Sequence, residues 1–169
     1  MNVRYVNPFV TAAFEVLKGE AGLDAERGPL ALQSAAGTAD DVTVLITVVG
    51  QVQGIVLYSL SEKTVLRLVS KIMDQPFDEF DPLAQSGAAE LGNVITGRAS
   101  SILAGEGCDA RISPPVLILG KGTLLSTLDF QRLVVPITTE LGNLQIHLAL
   151  NDTPADPSGQ RMSRLGVRR

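Results

Sequence analysis

The sequence is short of the residue types that several function classes require. Its 169 residues contain no tryptophan, one cysteine and one histidine, and aromatic residues make up only 4%. The single Cys108 cannot form an internal disulfide, and the first residues show no signal-peptide pattern, so we expect a protein of the reducing cytoplasm. The lone His147 and the absence of a Cys, His, Asp or Glu cluster favour neither a metal site nor a catalytic triad.

Long apolar runs and a basic excess are also missing. No run reaches the ~18 apolar residues that a membrane-spanning helix needs. The formal net charge is -4, which argues against a nucleic-acid partner because such footprints are usually basic. The chain is instead rich in aliphatic residues, with 45% hydrophobic residues in 17.9 kDa. This composition predicts one domain with an aliphatic core.

Periodicity and capping signals predict three helices. Asn7 as N-cap and Pro8 at the first helical position begin a helix over 7–18. Ser59 and Glu62 resemble a capping box before a second helix that ends near Met73. Asp81 followed by Pro82 begins the longest helix, which runs to about Leu103 with Gly105 as its stop.

Runs of β-branched and alternating residues predict the strands, and residues 19–29 between the first helix and these strands are predicted as loop. Pro136 indicates an edge strand or a bulge, and His147 is expected to point outward from a half-buried strand. The order of elements predicts an α+β fold with two long helices packed on one face of a mostly antiparallel sheet. The predicted strands are Leu30–Ala35, Val42–Val49, Val52–Leu60, Val116–Leu119, Phe130–Ile137 and Leu144–Leu150, with turns at Gly50-Gln51, Gly120-Lys121-Gly122 and Gly142-Asn143 and a disordered basic tail over 151–169.

The outward face of the longest helix carries an unusual set of residues. At 3.6 residues per turn, Ser86, Glu90, Asn93 and Gly97 fall on one stripe, opposite an apolar stripe that packs inward. Gly87, Gly92 and Gly97 each cost the helix roughly 0.5–1 kcal/mol relative to alanine. These glycines favour a helix whose backbone is approached closely by another molecule, although a merely solvated face is the simpler interpretation of Glu90 and Asn93 alone.

The ordered motif set resembles the CheC/CheX/FliY phosphatases of bacterial chemotaxis, and is most similar to the CheX type. Their signature is Asp/Ser-x-x-x-Glu-x-x-Asn followed by a downstream proline, which Ser86, Glu90, Asn93 and Pro114-Pro115 match. The resemblance covers residues 1–150, so we expect one CheX-like phosphatase domain there. CheC proteins carry a second Glu-x-x-Asn in the paired helix, but Lys18 stands where that asparagine is needed after Glu15, so one site is expected.

The resemblance implies a phosphatase that acts on a phosphorylated CheY-like response regulator. Asn93 would orient the attacking water and Glu90 would pair with a lysine of the regulator, so these two are the expected catalytic residues. Ser86 and Gly97 would contact the partner, and Gly92 with Gly97 would let the two backbones approach. The Mg²⁺ would sit on the regulator, so this chain needs no cofactor of its own.

Two further implications concern partners. The resemblance to CheX-like proteins implies a homodimer in which the sheets of two subunits join. The Val42–Val49 and Leu144–Leu150 strands are the two candidate edges. The alternative function is a non-catalytic module that binds a regulator, as expected of flagellar-switch relatives. The regulator could also be a stand-alone receiver domain of another pathway, and genomic neighbours or a pull-down would separate these cases.

Overall fold

The computed structural model describes residues 3–33, 36–127 and 131–154. In this part of the chain, three α-helices pack on one face of an eight-stranded sheet, which confirms the predicted α+β class. A 3-10 turn, Val3–Tyr5, precedes the first helix. The helices are α1 Val6–Ala21, α2 Glu62–Ile72 and α3 Pro82–Gly105, and the strands are β1 Ala25–Arg27, β2 Ala31–Gln33, β3 Ala36–Thr38, β4 Val42–Gly50, β5 Val52–Leu60, β6 Ala110–Ile112, β7 Val116–Leu119, β8 Leu124–Ser126, β9 Arg132–Thr139 and β10 Gly142–Asp152.

The large sheet is antiparallel in every described pairing. Its strands follow the order β1-β9-β10-β5-β4-β6, while β2 also pairs with β9 and β7 also pairs with β4. Strands β3 and β8 form a separate two-stranded sheet. The two predicted dimer edges are therefore wrong, because β4 and β10 are both inner strands. Strand order depends on pairings between distant segments, which alternation within one strand does not specify.

The helix boundaries confirm one predicted cap and correct two others. Asp81 caps α3, and its Oδ1 accepts a hydrogen bond from the Ala84 amide at 2.8 Å. The predicted cap at Asn7 is wrong, because α1 begins at Val6 after Tyr5. The predicted capping box at Ser59 is also wrong: Ser59 lies buried in β5, where its hydroxyl is 2.9 Å from that of Thr43. Ser61 caps α2 instead.

Several strand boundaries differ from the prediction in position rather than in kind. Part of the predicted loop 19–29 forms β1, and the turn expected at Gly142-Asn143 lies at 140–141, just before β10. The last strand continues through Asp152, whose carboxylate accepts a hydrogen bond from the Tyr5 hydroxyl. Residues 151 and 152, predicted as the start of the tail, therefore belong to β10. Residues 155–169 of that tail lie outside the described residues, as does the predicted strand start at Phe130.

Pro136 sits in an inner strand rather than at an edge. Strand β9 pairs with β10 on one side and with β1 and β2 on the other. Pro136 falls opposite the gap between those two short strands, where its carbonyl accepts a hydrogen bond from the Gly28 amide at 2.8 Å. A residue that lacks an N–H is tolerated here because β1 and β2 are interrupted at this point.

The face of the sheet away from the helices is also covered. His147 is 5% exposed, which corrects the prediction that it points into solvent. Arg132 on β9 is 2% exposed, and Gly37 of β3 lies directly against its guanidinium. Desolvation by burial, with a smaller effect from the Arg132 charge, lowers the pKa of His147 to about 4. The imidazole is therefore neutral in the folded protein at physiological pH.

We predict that His147 makes folding stability sensitive to mild acid. The folded protein disfavours protonated His147. The contribution of this residue to the free energy of unfolding is therefore constant above the ordinary pKa of 6.5 and is lost as the pH falls toward 4. The free energy of unfolding should fall by up to about 3 kcal/mol over this window, at about 1.4 kcal/mol per pKa unit. Urea unfolding of wild type and His147→Gln across pH 4–7 measures the difference; parallel curves for the two proteins would contradict the prediction.

Candidate functional site

Helix α3 presents the predicted site residues on one face. Glu90 and Ser86 are exposed, and Asn93 and Gly97 are half-buried. The Asn93 side chain donates a hydrogen bond from Nδ2 to Glu90 Oε2 at 3.3 Å. The structure therefore brings the carboxylate and the amide together, one turn apart, at the surface of the longest helix.

Ser86 and Gly97 flank this pair along the helix. The Ser86 hydroxyl donates to the carbonyl of Pro82 at 3.0 Å, within its own helix. The Gly97 carbonyl accepts a hydrogen bond from the Ser101 hydroxyl at 3.1 Å. A Cβ added at Gly97 would contact only the Ile112 Cδ1, at 3.9 Å. The helix backbone can therefore be approached closely at this position.

Two of the three helix glycines serve the interior, which corrects the expectation that Gly92 faces a partner. Gly92 is buried, and a Cβ there would lie 2.8 Å from Val44 Cγ1 and 3.2 Å from Tyr58. A Cβ at Gly87 would lie 2.7 Å from Val69 Cγ1 on α2. These glycines let α3 approach the sheet and α2 closely, whereas Gly97 leaves the helix backbone open on its outer face.

A buried polar link fixes the height of α3 above the sheet, and neither periodicity nor spacing in the sequence indicates it. The Thr96 hydroxyl donates to the carbonyl of Gly92 at 2.7 Å and lies 2.8 Å from the Tyr58 hydroxyl of β5. Burial raises the pKa of Tyr58 well above its usual value. The phenol therefore stays protonated, and this link holds the turn that carries Asn93 at a fixed place.

The helix that pairs with α3 carries Glu15 and Lys18 at the Glu-x-x-Asn spacing. Glu15 of α1 accepts a hydrogen bond from Arg98 Nε at 2.5 Å, and this ion pair lowers the pKa of Glu15. Lys18 pairs with Asp24 at 2.9 Å. The residues that align with the Glu-x-x-Asn spacing in α1 are thus engaged in surface ion pairs, of which the first ties α1 to α3.

The downstream prolines lie in a segment that runs beside α3. Pro114 and Pro115 connect β6 to β7, and both strands contact α3. The Ser100 hydroxyl of α3 donates to the carbonyl of Ala110 at 2.5 Å, and the Ser113 amide donates to the Thr47 carbonyl at 2.9 Å. The segment around the proline pair is therefore anchored by hydrogen bonds to α3 and to β4.

Neither metal-ligand clusters nor membrane spans occur among the described residues. No group of three or more His, Cys, Asp or Glu side chains in residues 3–33, 36–127 and 131–154 is placed to hold a metal ion. No helix in these ranges is long and apolar enough to cross a membrane. The hydrogen-bonded pair on α3 combines one carboxylate, Glu90, with one side-chain amide, Asn93.

The chain resembles known chemotaxis proteins in sequence and in fold. The family model described as chemotaxis phosphatase CheX matches residues 42–138. The CheY-P phosphatase CheX of Thermotoga maritima is 28% identical over 122 residues, which cover 72% of this chain and 79% of that protein. A CheC-like superfamily protein from Shewanella sp. PV-4 superposes with a TM-score of 0.79 at 26% identity, covering 89% of this chain and 99% of that one.

A solved complex also contains a similar chain. The structure of the CheX–CheY–BeF3–Mg²⁺ complex from Borrelia burgdorferi matches with a TM-score of 0.76 at 25% identity, covering 89% of this chain and all of that chain, 100%. The family match includes α3 with Glu90 and Asn93, since both lie within residues 42–138. The exposed Glu90–Asn93 pair therefore lies inside the region that defines the similarity.

Proposed function

The chain belongs to the CheX family of chemotaxis phosphatases, and from this premise we propose that it dephosphorylates the aspartyl phosphate of a CheY-like response regulator. The observation that carries the proposal is the hydrogen-bonded Glu90–Asn93 pair on the open face of α3. The name of the Thermotoga maritima relative, a CheY-P phosphatase, and the Borrelia burgdorferi complex support the substrate. The regulator supplies the Mg²⁺ in this proposal, and the chain brings no cofactor of its own.

Asn93 positions the attacking water. An amide donates and accepts hydrogen bonds without titrating, so it can orient water at any physiological pH. With Nδ2 bonded to Glu90, the Oδ1 atom is available to accept a hydrogen bond from a water in line with the phosphorus. The water oxygen bonds to phosphorus while the phosphorus–oxygen bond to the aspartate breaks, which releases inorganic phosphate and a free carboxylate. Positioning of this kind accelerates the reaction without a covalent intermediate on this chain.

Glu90 anchors the regulator next to the reacting group. Its carboxylate is exposed, so it can pair with a lysine that borders the phosphorylation site of a receiver. The same carboxylate holds Asn93, so docking and water positioning share one side chain. Ser86 and Gly97 complete the contact surface on either side, because Gly97 leaves the helix backbone open to approach.

The experiment that tests this function is steady-state phosphate release with wild type and Glu90→Gln. We expect the variant to raise KM for the phosphorylated regulator about ten-fold, because a charged hydrogen bond is replaced by a neutral one. The kcat value should stay close to wild type, since the glutamine oxygen can still accept the bond from Asn93. Glu26→Gln, an exposed carboxylate on β1, is the matched control. An unchanged KM for Glu90→Gln would refute the anchoring role.

We also propose that the chain forms a homodimer through the β7 edge of its sheet. Strands β6 and β7 lie at one edge and β1 and β2 at the other. Val116 and Leu119 on β7 are 54% and 49% exposed, so this edge strand carries two uncovered large aliphatic side chains, whereas β2 at the other edge carries one, Leu32. Light scattering should give twice the 17.9 kDa mass for wild type and for Leu32→Lys, and a monomer for Val116→Lys. A monomeric wild type at micromolar concentration would contradict the proposal.

A further inference from the structure

An apolar groove opens beside the Glu90–Asn93 pair, between α1, the end of α2 and α3. Its volume is about 400 Å³, and it shares Ser86 and Glu90 with the site already described. The floor and walls are apolar: they are formed by Val16 of α1, by Ile72 and Met73 at the end of α2, and by Gly87, Leu91 and Val94 of α3.

Gly87 gives the groove its shape. A Cβ at this position would lie 3.0 Å from Met73 Sδ and 2.7 Å from Val69 Cγ1. The missing side chain therefore lets the end of α2 lie directly against α3, while the neighbouring turn of α3 stays uncovered. A glycine in the interior of a helix is unfavourable by roughly 1 kcal/mol relative to alanine, and this close approach explains its presence.

The charges around the groove are of one sign. Glu20 of α1 and Glu90 of α3 line it, and among the described residues no lysine or arginine joins its lining. Both carboxylates are exposed, and they lie at the mouth of an apolar cleft. An aliphatic side chain would fill such a cleft, while a neighbouring lysine or arginine would pair with the two carboxylates at its rim.

We propose that this groove receives an aliphatic side chain of the phosphorylated regulator, with a neighbouring basic side chain between Glu20 and Glu90. The inference rests on the proposed function, because the groove is continuous with the surface that carries Asn93. It assigns a role in partner selection to Val94 and Glu20, residues outside the Glu-x-x-Asn motif. A regulator with a polar residue at the contact position would be dephosphorylated less efficiently.

The test uses phosphate release and binding with the full chain and a CheY-like regulator of the same organism. Val94→Phe fills the groove, and the loss of one buried aliphatic contact should raise KM by about ten-fold or more, with kcat unchanged. Glu20→Gln should raise KM about two- to five-fold at low salt, and this difference should disappear at high salt. The matched controls are Leu124→Phe and Glu26→Gln, at exposed positions on β8 and β1.

One further measurement separates folding from function. Thermal unfolding shows whether Val94→Phe still folds, and Glu20→Gln tests the groove without altering its packing. If wild type accelerates phosphate release but both groove variants keep the wild-type KM, the groove inference is wrong and the proposed function stands. If wild type itself gives no acceleration, the proposed function fails.

A photo-cross-linker identifies the occupant. With a benzophenone amino acid at position 20 and the regulator held active by beryllofluoride and Mg²⁺, we expect a cross-link to a regulator segment that pairs an aliphatic residue with a lysine or arginine. A cross-link to a second copy of this chain, or to a regulator segment without such a pair, would overturn the proposal.

Discussion

Replacing Asn93 with alanine is expected to lower kcat for regulator dephosphorylation by at least about 100-fold, since losing the positioning of a reactant costs on this order. The change removes the amide that orients water and the bond from Nδ2 to Glu90. It leaves the carboxylate of Glu90 in place, so affinity for the regulator should change much less than kcat. No other member of the stripe formed by Ser86, Glu90, Asn93 and Gly97 offers a side-chain amide, which is why the effect is large.

Rate and affinity must be measured separately for this variant. Phosphate release gives kcat, and titration with the regulator held active by beryllofluoride and Mg²⁺ gives Kd. Ser101→Ala, an exposed position two turns further along the same helix, is the control and should behave as wild type. Wild-type kcat in Asn93→Ala would show that water is positioned by another group.

Replacing Gly54 with alanine is expected to destabilise the fold by about 4 kcal/mol or more, which marks an exceptional single substitution. Gly54 has a φ of +144°, a backbone conformation that side chains rarely adopt. A Cβ there would overlap the Ala149 carbonyl oxygen, in the pairing of β5 with β10 at the centre of the sheet. Strand β5 is held from its other side at this position, because Gly54 also lies opposite Val48 of β4.

Urea unfolding measures this loss, with Gly19→Ala as the matched control. Gly19 lies in α1, where an added Cβ would meet nothing within 4 Å and the backbone φ is not positive. Its substitution should stabilise the protein by about 0.5–1 kcal/mol, as expected for glycine to alanine in a helix. An equal unfolding midpoint for Gly54→Ala and wild type would contradict the strand geometry around Gly54.

Local signals in the sequence predicted the elements on which the site depends. Asp81-Pro82 marked the start of α3 correctly because the cap acts within one turn. The β-branched runs marked β4 and β5, including the turn at Gly50-Gln51. The three-residue strands β1, β3, β6 and β8 were not predicted as such, because so few residues show no periodicity.

Properties that depend on distant segments were predicted less well. His147 was expected at the surface, since its strand alternates, but a separate segment that includes β3 covers that face. The spacing of Glu90 and Asn93 correctly placed both on one face of α3. The same spacing did not reveal that Gly92 faces Val44, because helix periodicity orders residues around the axis without identifying what packs against them.

The most direct test of the central claim is phosphate release from a CheY-like regulator charged with acetyl phosphate or phosphoramidate, with this chain in substoichiometric amounts. We predict release that increases in proportion to the concentration of the chain, with many regulators turned over by each copy, and no such increase with Asn93→Ala. Binding to the beryllofluoride-activated regulator without any acceleration of phosphate release would contradict the phosphatase account and establish a non-catalytic interaction module.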